Sequence, residues 1–265
     1  MCGLFKILFL GDIVGRPARK YLKSNLCRVK ELYNIDVVIA DGENAAAGAG
    51  INLRSIRDLR GAGIDIITLG DHVFDRDFIK ESKDVIDLST ICVPSNTITP
   101  IDGLQFVKTE KNGITVGVCT VLGRHFMKIP VSCPFKKFDE IFDKYRHSVD
   151  IFVTEIHAEA TSEKIAYGWY VDGRADLVVG THTHVQTADE RILPNGTAYI
   201  TDLGMCGAHK SVIGRNINTV LDSFITGRKQ RLEIAEEDIR LNGCIAEFDP
   251  ERKCVAKISR LSYGD

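Results

Sequence analysis

Residues 4–17 read LFKILFLGDIVGRP, an apolar run that ends in a polar turn with two glycines. The run Leu4–Leu10 has the length of a buried strand, and Pro17 stands where proline fits the first turn of a following helix. Apolar runs at Asp36–Ala40 and Asp65–Leu69 are followed by the same kind of turn and by a helical pattern. This order predicts βα units and therefore an α/β protein.

The rest of the chain adds more strands than helices. Helices are predicted after Pro17, from about Asn52 and Asp77, over Phe138–Arg146, and from near Thr161, where TSEK is typical of a capping segment. Further strands are predicted at Ile91–Val93, Gln105–Lys108, Ile114–Leu122, Asp150–Ile156, Asp176–Gly180, Arg191–Leu193, Thr197–Thr201, Arg240–Asp249 and Lys253–Leu261. The last third is mostly strand, and its alternation indicates antiparallel pairing. We expect two mixed β-sheets packed as a sandwich flanked by helices, with parallel strands first and a second sheet rich in antiparallel strands.

The composition is that of an ordinary globular protein, and 265 residues predict a single domain over residues 1–265. A net charge of −2 gives no general attraction to nucleic acids or to an anionic membrane. No apolar stretch reaches the roughly 20 residues of a transmembrane helix, and Lys6 interrupts the apolar start, so we expect no membrane span and no signal peptide. The eight cysteines include no CxxC pair, which favours reduced thiols and a cytoplasmic protein. An N-terminal nucleophile at Cys2 is an alternative that no further motif supports.

Metal-binding side chains follow the ends of five predicted strands. In chain order they are Asp12, Glu43 with Asn44, Asp71 followed by His72, His157, and His182 with His184. Because ligands of α/β sheets bind outside the carboxyl ends of the strands, we expect these side chains to meet in one crevice. Seven donors exceed the needs of one zinc ion and suit two ions about 3.5–4 Å apart that share an activated water. Oxygen and nitrogen donors without thiolates favour manganese, iron or zinc.

Simpler roles exist for each of these residues. Asp12 alone is as well explained as a helix N-cap, and the Glu43-Asn44 pair as turn chemistry. A single histidine such as His157 is compatible with a structural role in the core. A structural role does not explain His182 and His184. Imidazoles at i and i+2 project to the same side of an extended backbone, and burying both in the apolar core would not stabilise the fold. Separate structural explanations for five strand ends are together improbable, which favours a metal site.

Other motifs predict less. The nucleotide-binding patterns GxGxxG and GxxxxGK[ST] are both absent, so a dinucleotide-binding fold is not favoured. His125 and His209 are isolated, and we interpret them as residues behind the ligands or on the surface. The basic segment Arg228–Arg231 is interpreted as a solvated loop.

Six stretches carry a resemblance to a known family. They are GDIVGRPAR (11–19), DGENAAAGAGI (41–51), TLGDHVFD (68–75), HAEATSEK (157–164), GTHTHVQTADERILPNGTAYITDLGMCG (180–207) and SVIGR (211–215). The sequence resembles the calcineurin-like metallophosphoesterases, and more closely the bacterial YmdB-type family among them. The superfamily typically opens with Asp-x-His, where this chain has Val14. The YmdB-type proteins are similar to this chain in compensating with a Glu-Asn pair. The resemblance implies a four-layer α/β/β/α fold.

The resemblance also implies a centre of two metal ions with a bridging glutamate. Asp12, Glu43, Asn44 and His184 would bind one ion, and Glu43, Asp71, His157 and His182 the other. Iron or manganese is the implied metal, with zinc as a further option. The implied activity is that of a phosphodiesterase on cyclic nucleotides, with the 2′,3′-cyclic class associated with the family. A homo-oligomer is compatible with it.

One position departs from the family, which usually has Asn where this chain has Asp71. Two divalent ions against Asp12 and Glu43 leave a charge of about +2, and an ionised Asp71 lowers it to about +1. A smaller positive charge acidifies the bridging water less and attracts the phosphate less. We therefore expect tighter metal retention and a slower chemical step.

The predicted mechanism is in-line attack by a metal-activated hydroxide on a small phosphodiester. His72 lies beside a ligand and is predicted to contact the phosphate and to protonate the leaving oxygen as the catalytic acid. Arg16 and residues 48–50 are candidates to shape the phosphate pocket. The alternatives are a phosphomonoesterase or nucleotidase with the same metal centre, and a metal-bound regulatory protein with weak catalysis.

Overall fold

The computed structural model describes residues 3–82 and 84–264, so the alternative placed on Cys2 lies outside the described residues. The strands are β1 (Phe5–Leu10), β2 (Asp12–Ile13), β3 (Val37–Asp41), β4 (Ile66–Thr68), β5 (Ile91–Cys92), β6 (Val107–Lys111), β7 (Ile114–Leu122), β8 (Ile151–His157), β9 (Leu177–Thr181), β10 (Arg191–Ile192), β11 (Ala198–Ile200), β12 (Met205–Ala208), β13 (Ile239–Asp249) and β14 (Cys254–Gly264). The helices are α1 (Gly15–Tyr33), α2 (Leu53–Ala62), α3 (Phe78–Ser82), α4 (Pro134–Tyr145), α5 (Thr161–Val171) and α6 (Ile217–Thr226), with 3₁₀ turns at Asp71–Phe74 and Arg146–Ser148.

These strands form two mixed sheets. In sheet 1 the order is β2-β12-β13-β1-β3-β4-β5, and β14 pairs with β13. In sheet 2 the order is β10-β11-β9-β8-β7-β6. The neighbours β1, β3, β4 and β5 run parallel, as do β7, β8, β9 and β11. The carboxyl ends of each parallel set therefore lie together at one edge of their sheet.

Three apolar clusters make four layers of structure. Leu22 of α1 and Ile56 of α2 belong to a cluster that covers the outer face of sheet 1. Phe9 of β1 and Val118 of β7 belong to a cluster between the two sheets. A third cluster, with Phe138 of α4, covers the outer face of sheet 2. The predicted sandwich with flanking helices is confirmed, and the shared inner cluster supports our proposal of a single domain.

The antiparallel strands lie in a different sheet from the predicted one. The β13–β14 hairpin joins sheet 1 beside β1, where Phe9 is opposite Cys244. Sheet 2 has a parallel centre and antiparallel strands only at its two described edges, β6 and β10. The physical reason lies in β1, which is mostly buried and therefore needs hydrogen-bond partners at both of its edges. Strand β3 pairs with one edge and β13 with the other. The prediction of an antiparallel-rich second sheet is wrong.

The last third also contains a helix and a strand that were not predicted. Helix α6 begins after Asn216, whose side chain accepts a hydrogen bond from the Thr219 N–H. It ends at Thr226, and the residue that caps this end is Gly227, which has a left-handed φ of 68°. Strand β12 was not predicted because its sequence, MCGA, has no alternation of polar and apolar residues.

The start of α5 differs from the prediction in its chemistry. The helix begins at Thr161, but its N-cap is Ala160 and no side chain caps it. The Glu163 carboxylate instead accepts hydrogen bonds from the N–H groups of Arg124 (3.0 Å) and His125 (3.1 Å). The predicted capping segment is therefore wrong, because its acid stabilises a neighbouring loop.

Three general expectations can be compared with the described residues. No helix in residues 3–82 and 84–264 is long and apolar enough to cross a membrane. The seven cysteines within these ranges have free thiols. In the Arg228–Arg231 segment the arginines and the lysine are exposed, as predicted for a solvated loop.

Candidate metal centre

The predicted strand ends meet at one edge of the two sheets. The seven predicted ligands are Asp12 in β2, Glu43 and Asn44 after β3, Asp71 after β4, His157 at the end of β8, and His182 and His184 after β9. A hydrogen bond from the His182 N–H to Asp12 Oδ2 (3.2 Å) connects the two sheets at this edge. The structure thus brings all seven residues together.

Four of them form a tight group. The ligand atoms of Glu43, Asp71, His157 and His182 all lie within 4.8 Å of one another. His157 Nε2 lies 3.3 Å from Glu43 Oε1 and 3.1 Å from Asp71 Oδ1. His182 Nδ1 lies 3.3 Å from Asp71 Oδ1. Two imidazoles and two carboxylates around one point are donors that a first-row transition metal takes.

A second group adds an acid that was not predicted. Ligand atoms of Asp12, Asp41 and His157 lie within 4.8 Å of one another. Beside Asp12, Asn44 Nδ2 lies 3.5 Å from Asp12 Oδ1 and 3.3 Å from His184 Nε2. The distance from His184 Nε2 to Asp12 Oδ1 is 3.6 Å. Ligation by Asn44 would use its oxygen, so the amide would turn by half a rotation.

The backbone separates the two late histidines. His182 and His184 have left-handed φ values of 95° and 65°. Their imidazoles therefore point apart, His182 to Asp71 and His184 to Asp12. The expectation of a common side is wrong, because β9 ends at Thr181 and the extended backbone ends with it. Such conformations cost about 1–3 kcal/mol each in non-glycine residues and persist only where the surroundings impose them.

A buried ion pair holds the residue between these two histidines. Lys164 and Asp202 are each 1% exposed, and Lys164 Nζ lies 2.5 Å from Asp202 Oδ2. The same oxygen accepts hydrogen bonds from the Thr183 hydroxyl (2.7 Å) and N–H (3.3 Å). Asp202 Oδ1 accepts one from the Gly204 N–H at 2.8 Å. Asp202 thus holds Thr183, the residue between the two histidines, through its backbone and its side chain.

His157 is held in one orientation from behind as well. Its Nδ1 lies 2.9 Å from Thr181 Oγ1 and 3.2 Å from Asp41 Oδ2. The Thr181 hydroxyl donates to Glu155 Oε1 at 2.7 Å, so toward His157 it can only accept a hydrogen bond. Nδ1 is therefore the protonated nitrogen, and Nε2 presents a lone pair to the centre.

The other two imidazoles follow the same rule. His182 Nε2 lies 3.1 Å from Glu159 Oε2, which leaves Nδ1 facing the centre. His184 Nδ1 lies 3.1 Å from the Ile213 carbonyl oxygen, which leaves Nε2 facing it. All three histidines thus offer one nitrogen as a ligand and donate with the other.

Gly70 makes room for this arrangement. A Cβ at this position would lie 2.3 Å from Glu43 Oε2 and 2.4 Å from His157 Nε2. Any larger residue would push the carboxylate and the imidazole apart. The glycine before Asp71 is therefore part of the site.

The buried charges of the centre depend on one another. Burial opposes ionisation of Asp12, but His184, His157 and the His182 N–H together outweigh it and lower the pKa of Asp12 below its ordinary range. Burial, reinforced by the charge of Asp12, raises the pKa of Asp41 well above its ordinary value. Burial opposes protonation of His157, but Glu43 and Asp41 raise its pKa well above that of free imidazole. Buried carboxylates and imidazoles whose charges depend on one another in this way are a donor set that fits cations.

His72 lies beside the group. Its N–H donates to Glu43 Oε2 at 3.0 Å. Its Nδ1 lies 2.6 Å from Asp75 Oδ2, and the side chain is about one-third exposed. A carboxylate on Nδ1 orients the ring and leaves Nε2 for a contact with substrate.

The other pocket candidates have different surroundings. Two arginines hold the glycine-rich loop, with Arg76 donating to the Ala49 carbonyl (3.1 Å) and Arg215 to the Gly48 carbonyl (2.6 Å). Arg16 is exposed and lines a surface cavity of about 640 Å³ whose walls include none of the seven predicted ligands. The loop is therefore a rigid wall near the site, while Arg16 lines a separate cavity.

Sequence reasoning missed the residues behind the ligands. Asp41 stands one position beyond the predicted end of a strand at Ala40, and β3 in fact ends on this buried acid. An acid at the end of a buried strand was the available signal. Lys164 and Asp202 gave none, because only the fold shows that they are paired and buried.

The chain is similar to known proteins over nearly its whole length. A profile of the family described as YmdB-like protein matches residues 8–261. The 2′,3′-cyclic-nucleotide 2′-phosphodiesterase of Bacillus subtilis (strain 168) is 41% identical over 263 residues, covering 98% of this chain and 97% of that protein. A crystal structure of a novel phosphatase from Mycoplasma pneumoniae superposes with a TM-score of 0.91 at 34% identity, covering 100% and 95% of the two chains. A hypothetical protein from Thermus thermophilus superposes with a TM-score of 0.89 at 38% identity, covering 98% and 100%.

Proposed function

The chain belongs to the YmdB-like family, and from this membership we propose that it is a phosphoric ester hydrolase whose substrates are 2′,3′-cyclic nucleotides. The family predicted from the sequence motifs is confirmed. The Bacillus relative is a 2′,3′-cyclic-nucleotide 2′-phosphodiesterase, and a cyclic phosphodiester suits a site that binds a small anion through cations.

The observation that carries the proposal is the convergence of Glu43, Asp71, His157 and His182 within 4.8 Å. We propose that one metal ion binds to these four residues. We propose that a second binds to Asp12, Glu43, Asn44 and His184. Iron or manganese is the expected metal, and zinc fits the same donors. When bound, the ions would supply Lewis-acid polarisation of the phosphate and a water of lowered pKa.

The residues around the centre position the reacting groups. Glu43 and Asp71 keep the donor atoms close, and Gly70 allows that closeness. The carboxylate of Asp75 holds the His72 ring so that its Nε2 is available to the substrate. We propose that His72 gives its proton to the leaving ribose oxygen.

The role of His72 predicts a dependence on the leaving group. His72→Ala should lower turnover of 2′,3′-cyclic AMP by about 10²-fold, since a ribose alkoxide needs a proton and general acids contribute about 10²–10⁴. Turnover of bis(p-nitrophenyl) phosphate should fall much less, because nitrophenolate leaves unprotonated. His147→Ala, at an exposed histidine, is the control. Equal losses on both substrates would exclude the acid role.

Asp71 predicts an effect of charge. With Asp12, Glu43 and Asp71 ionised, two divalent ions leave a charge of about +1, and replacing Asp71 by a neutral amide raises it to about +2. Asp71→Asn should therefore raise turnover severalfold at saturating metal while lowering metal affinity. Steady-state kinetics and a metal titration measure both, and an unchanged or lower turnover contradicts the charge argument.

The proposed function is tested on the purified protein. Elemental analysis should find about two metal ions per chain, and a hydrolysis screen should show turnover of 2′,3′-cyclic nucleotides above that of nucleoside monophosphates. Removal of metal by a chelator should abolish turnover and lower the melting temperature, because ions that bind only the folded chain stabilise it. Preferential hydrolysis of monoesters would favour a phosphomonoesterase. Metal binding without turnover would favour a regulatory protein.

Two further expectations remain proposals. We propose a cytoplasmic location, supported by the free thiols of the described cysteines. We also propose a homo-oligomer, which light scattering of the purified protein would test.

A further inference from the structure

A cavity of about 540 Å³ adjoins the metal centre. One of its walls is His184, a proposed metal ligand, and other lining residues are Val185, His209, Asn242 and Ser262. Its volume lies in the range of about 300–1,000 Å³ that is typical of small-molecule sites. A ligand in this cavity therefore lies next to the centre. Of the seven proposed metal ligands, only His184 lines the cavity.

The polar side of the cavity is built on two paired strands. Asn242 of β13 is directly opposite Ser262 of β14, so their side chains share one face of sheet 1. Asn242 is 4% exposed, and its Nδ2 lies 3.4 Å from His209 Nε2. His209 is also hydrogen-bonded to the backbone of Met205, so its other nitrogen is the acceptor for the amide.

One polar atom of this wall lacks a partner. Asn242 Oδ1 is buried and accepts no hydrogen bond. An unsatisfied buried acceptor costs about 1–3 kcal/mol. Because Asn242 lines the cavity, an N–H group of a ligand bound there is the partner that this oxygen lacks.

The lining also includes four apolar residues, which are Val185, Met205, Val212 and Ile213. Val185 is 61% exposed and Ile213 50% exposed, so both present aliphatic surface at the cavity. Apolar walls with a few converging polar groups suit a flat heterocycle, whose faces are apolar and whose edge carries N–H groups.

We infer that this cavity is the subsite for the nucleobase of the substrate, with Asn242 bonding the edge of the base and Val185 and Ile213 covering its faces. The inference rests on the proposed function, since it assumes that a nucleotide phosphate is bound at the neighbouring centre. Burial and the charge of Arg240 lower the pKa of His209, which keeps it a neutral acceptor for the amide. Arg240 itself is held by Asp238 through two hydrogen bonds of 2.8 Å.

Two variants change the cavity without touching a proposed ligand of the metals. Ser262→Phe fills it, and Asn242→Leu removes the amide at similar volume. Ala256→Phe is the matched control, because Ala256 is exposed on the same strand and does not line the cavity. Both test variants should raise KM for 2′,3′-cyclic AMP about tenfold, the equivalent of about 1.4 kcal/mol. Their kinetics on 1-O-methylribose 2′,3′-cyclic phosphate, which has no base, should equal those of the wild type.

A second measurement uses adenosine, which has no phosphate and needs no metal. An NMR titration of the metal-free chain should show shifts at the cavity in the wild type and in Ala256→Phe, and should show binding at least tenfold weaker in both test variants. Failure of the proposed function would appear as absent hydrolysis while adenosine still binds here. Adenosine binding that ignores both variants would overturn the subsite, as would equal kinetic losses on the substrate without a base. Thermal unfolding checks that each variant is folded. If Ser262→Phe does not fold, Asn242→Leu alone decides the test.

Discussion

Glu43→Gln is expected to lower turnover by about 10³-fold and to leave fewer than two metal ions per chain. Glu43 is 1% exposed and lies between both groups of donors, with Oε1 3.3 Å from His157 Nε2 and 2.9 Å from the Asn44 amide nitrogen. Its Oε2 accepts from the His72 N–H, so it also connects the centre to the proposed acid. Removing one charged partner of a buried pair costs about 3–5 kcal/mol, and a loss of that size in the binding of the ions corresponds to about 10²–10⁴-fold in metal affinity, on which turnover depends.

The test separates charge from shape. Glu43→Gln keeps the size of the side chain and removes its charge, and Glu43→Asp keeps the charge and shortens the reach. Glu110→Gln, at an exposed position on β6, is the control. Metal content by elemental analysis and turnover should fall together in Glu43→Gln. Retention of two ions with near-normal turnover would show that Glu43 does not bridge the ions.

Lys164→Met is expected to cause the largest loss of stability away from the ligands. It leaves the Asp202 carboxylate buried without its cation, and breaking a buried ion pair in this way costs about 3–5 kcal/mol. Metal affinity should also fall, because Asp202 holds Thr183 between His182 and His184. Urea unfolding measures the free energy, and a metal titration measures the affinity.

A double variant distinguishes the two roles of this pair. Lys164→Met with Asp202→Leu removes both charges, so much of the stability should return, since apolar residues often replace a buried ion pair without loss. The metal affinity should stay low, because Thr183 has no acceptor. Thr183→Val should reproduce that loss and Thr183→Ser should not. Lys210→Met, at an exposed pair, should change neither quantity, and recovery of metal affinity in the double variant would contradict the positioning role.

The sequence predicted those site residues that lie at the carboxyl ends of strands. Residues such as Glu43 and His157 were predicted because parallel strands have their carboxyl ends at one edge, whatever the order of the strands. The placement of the β13–β14 hairpin could not be predicted this way, since it depends on which edge of β1 remains unpaired. The ion pair of Lys164 was missed for the same reason, because its partner lies 38 positions away and in a different element.

The local errors have local causes. Asp41 was left out because the strand was ended one residue early, at Ala40. Helix α6 was missed although Asn216 and Gly227 stand at its two ends. Its exposed face carries large apolar residues, so the polar and apolar positions do not alternate with the period of a helix. The direction of His182 was wrong because strand periodicity was extended past Thr181.

The left-handed turns at His182 and His184 also limit which substitutions the site can accept. A residue there must satisfy a backbone requirement and a ligand requirement at once. Asparagine, aspartate and histidine are the non-glycine residues enriched at positive φ, and all three carry metal-binding atoms. Glycine would adopt the positive φ but has no side chain to bind a metal. Valine or isoleucine would neither adopt the positive φ readily nor bind a metal. In a saturation library at either position, survivors should therefore be confined to two polar replacements, with asparagine favoured where the charge of the centre is already balanced.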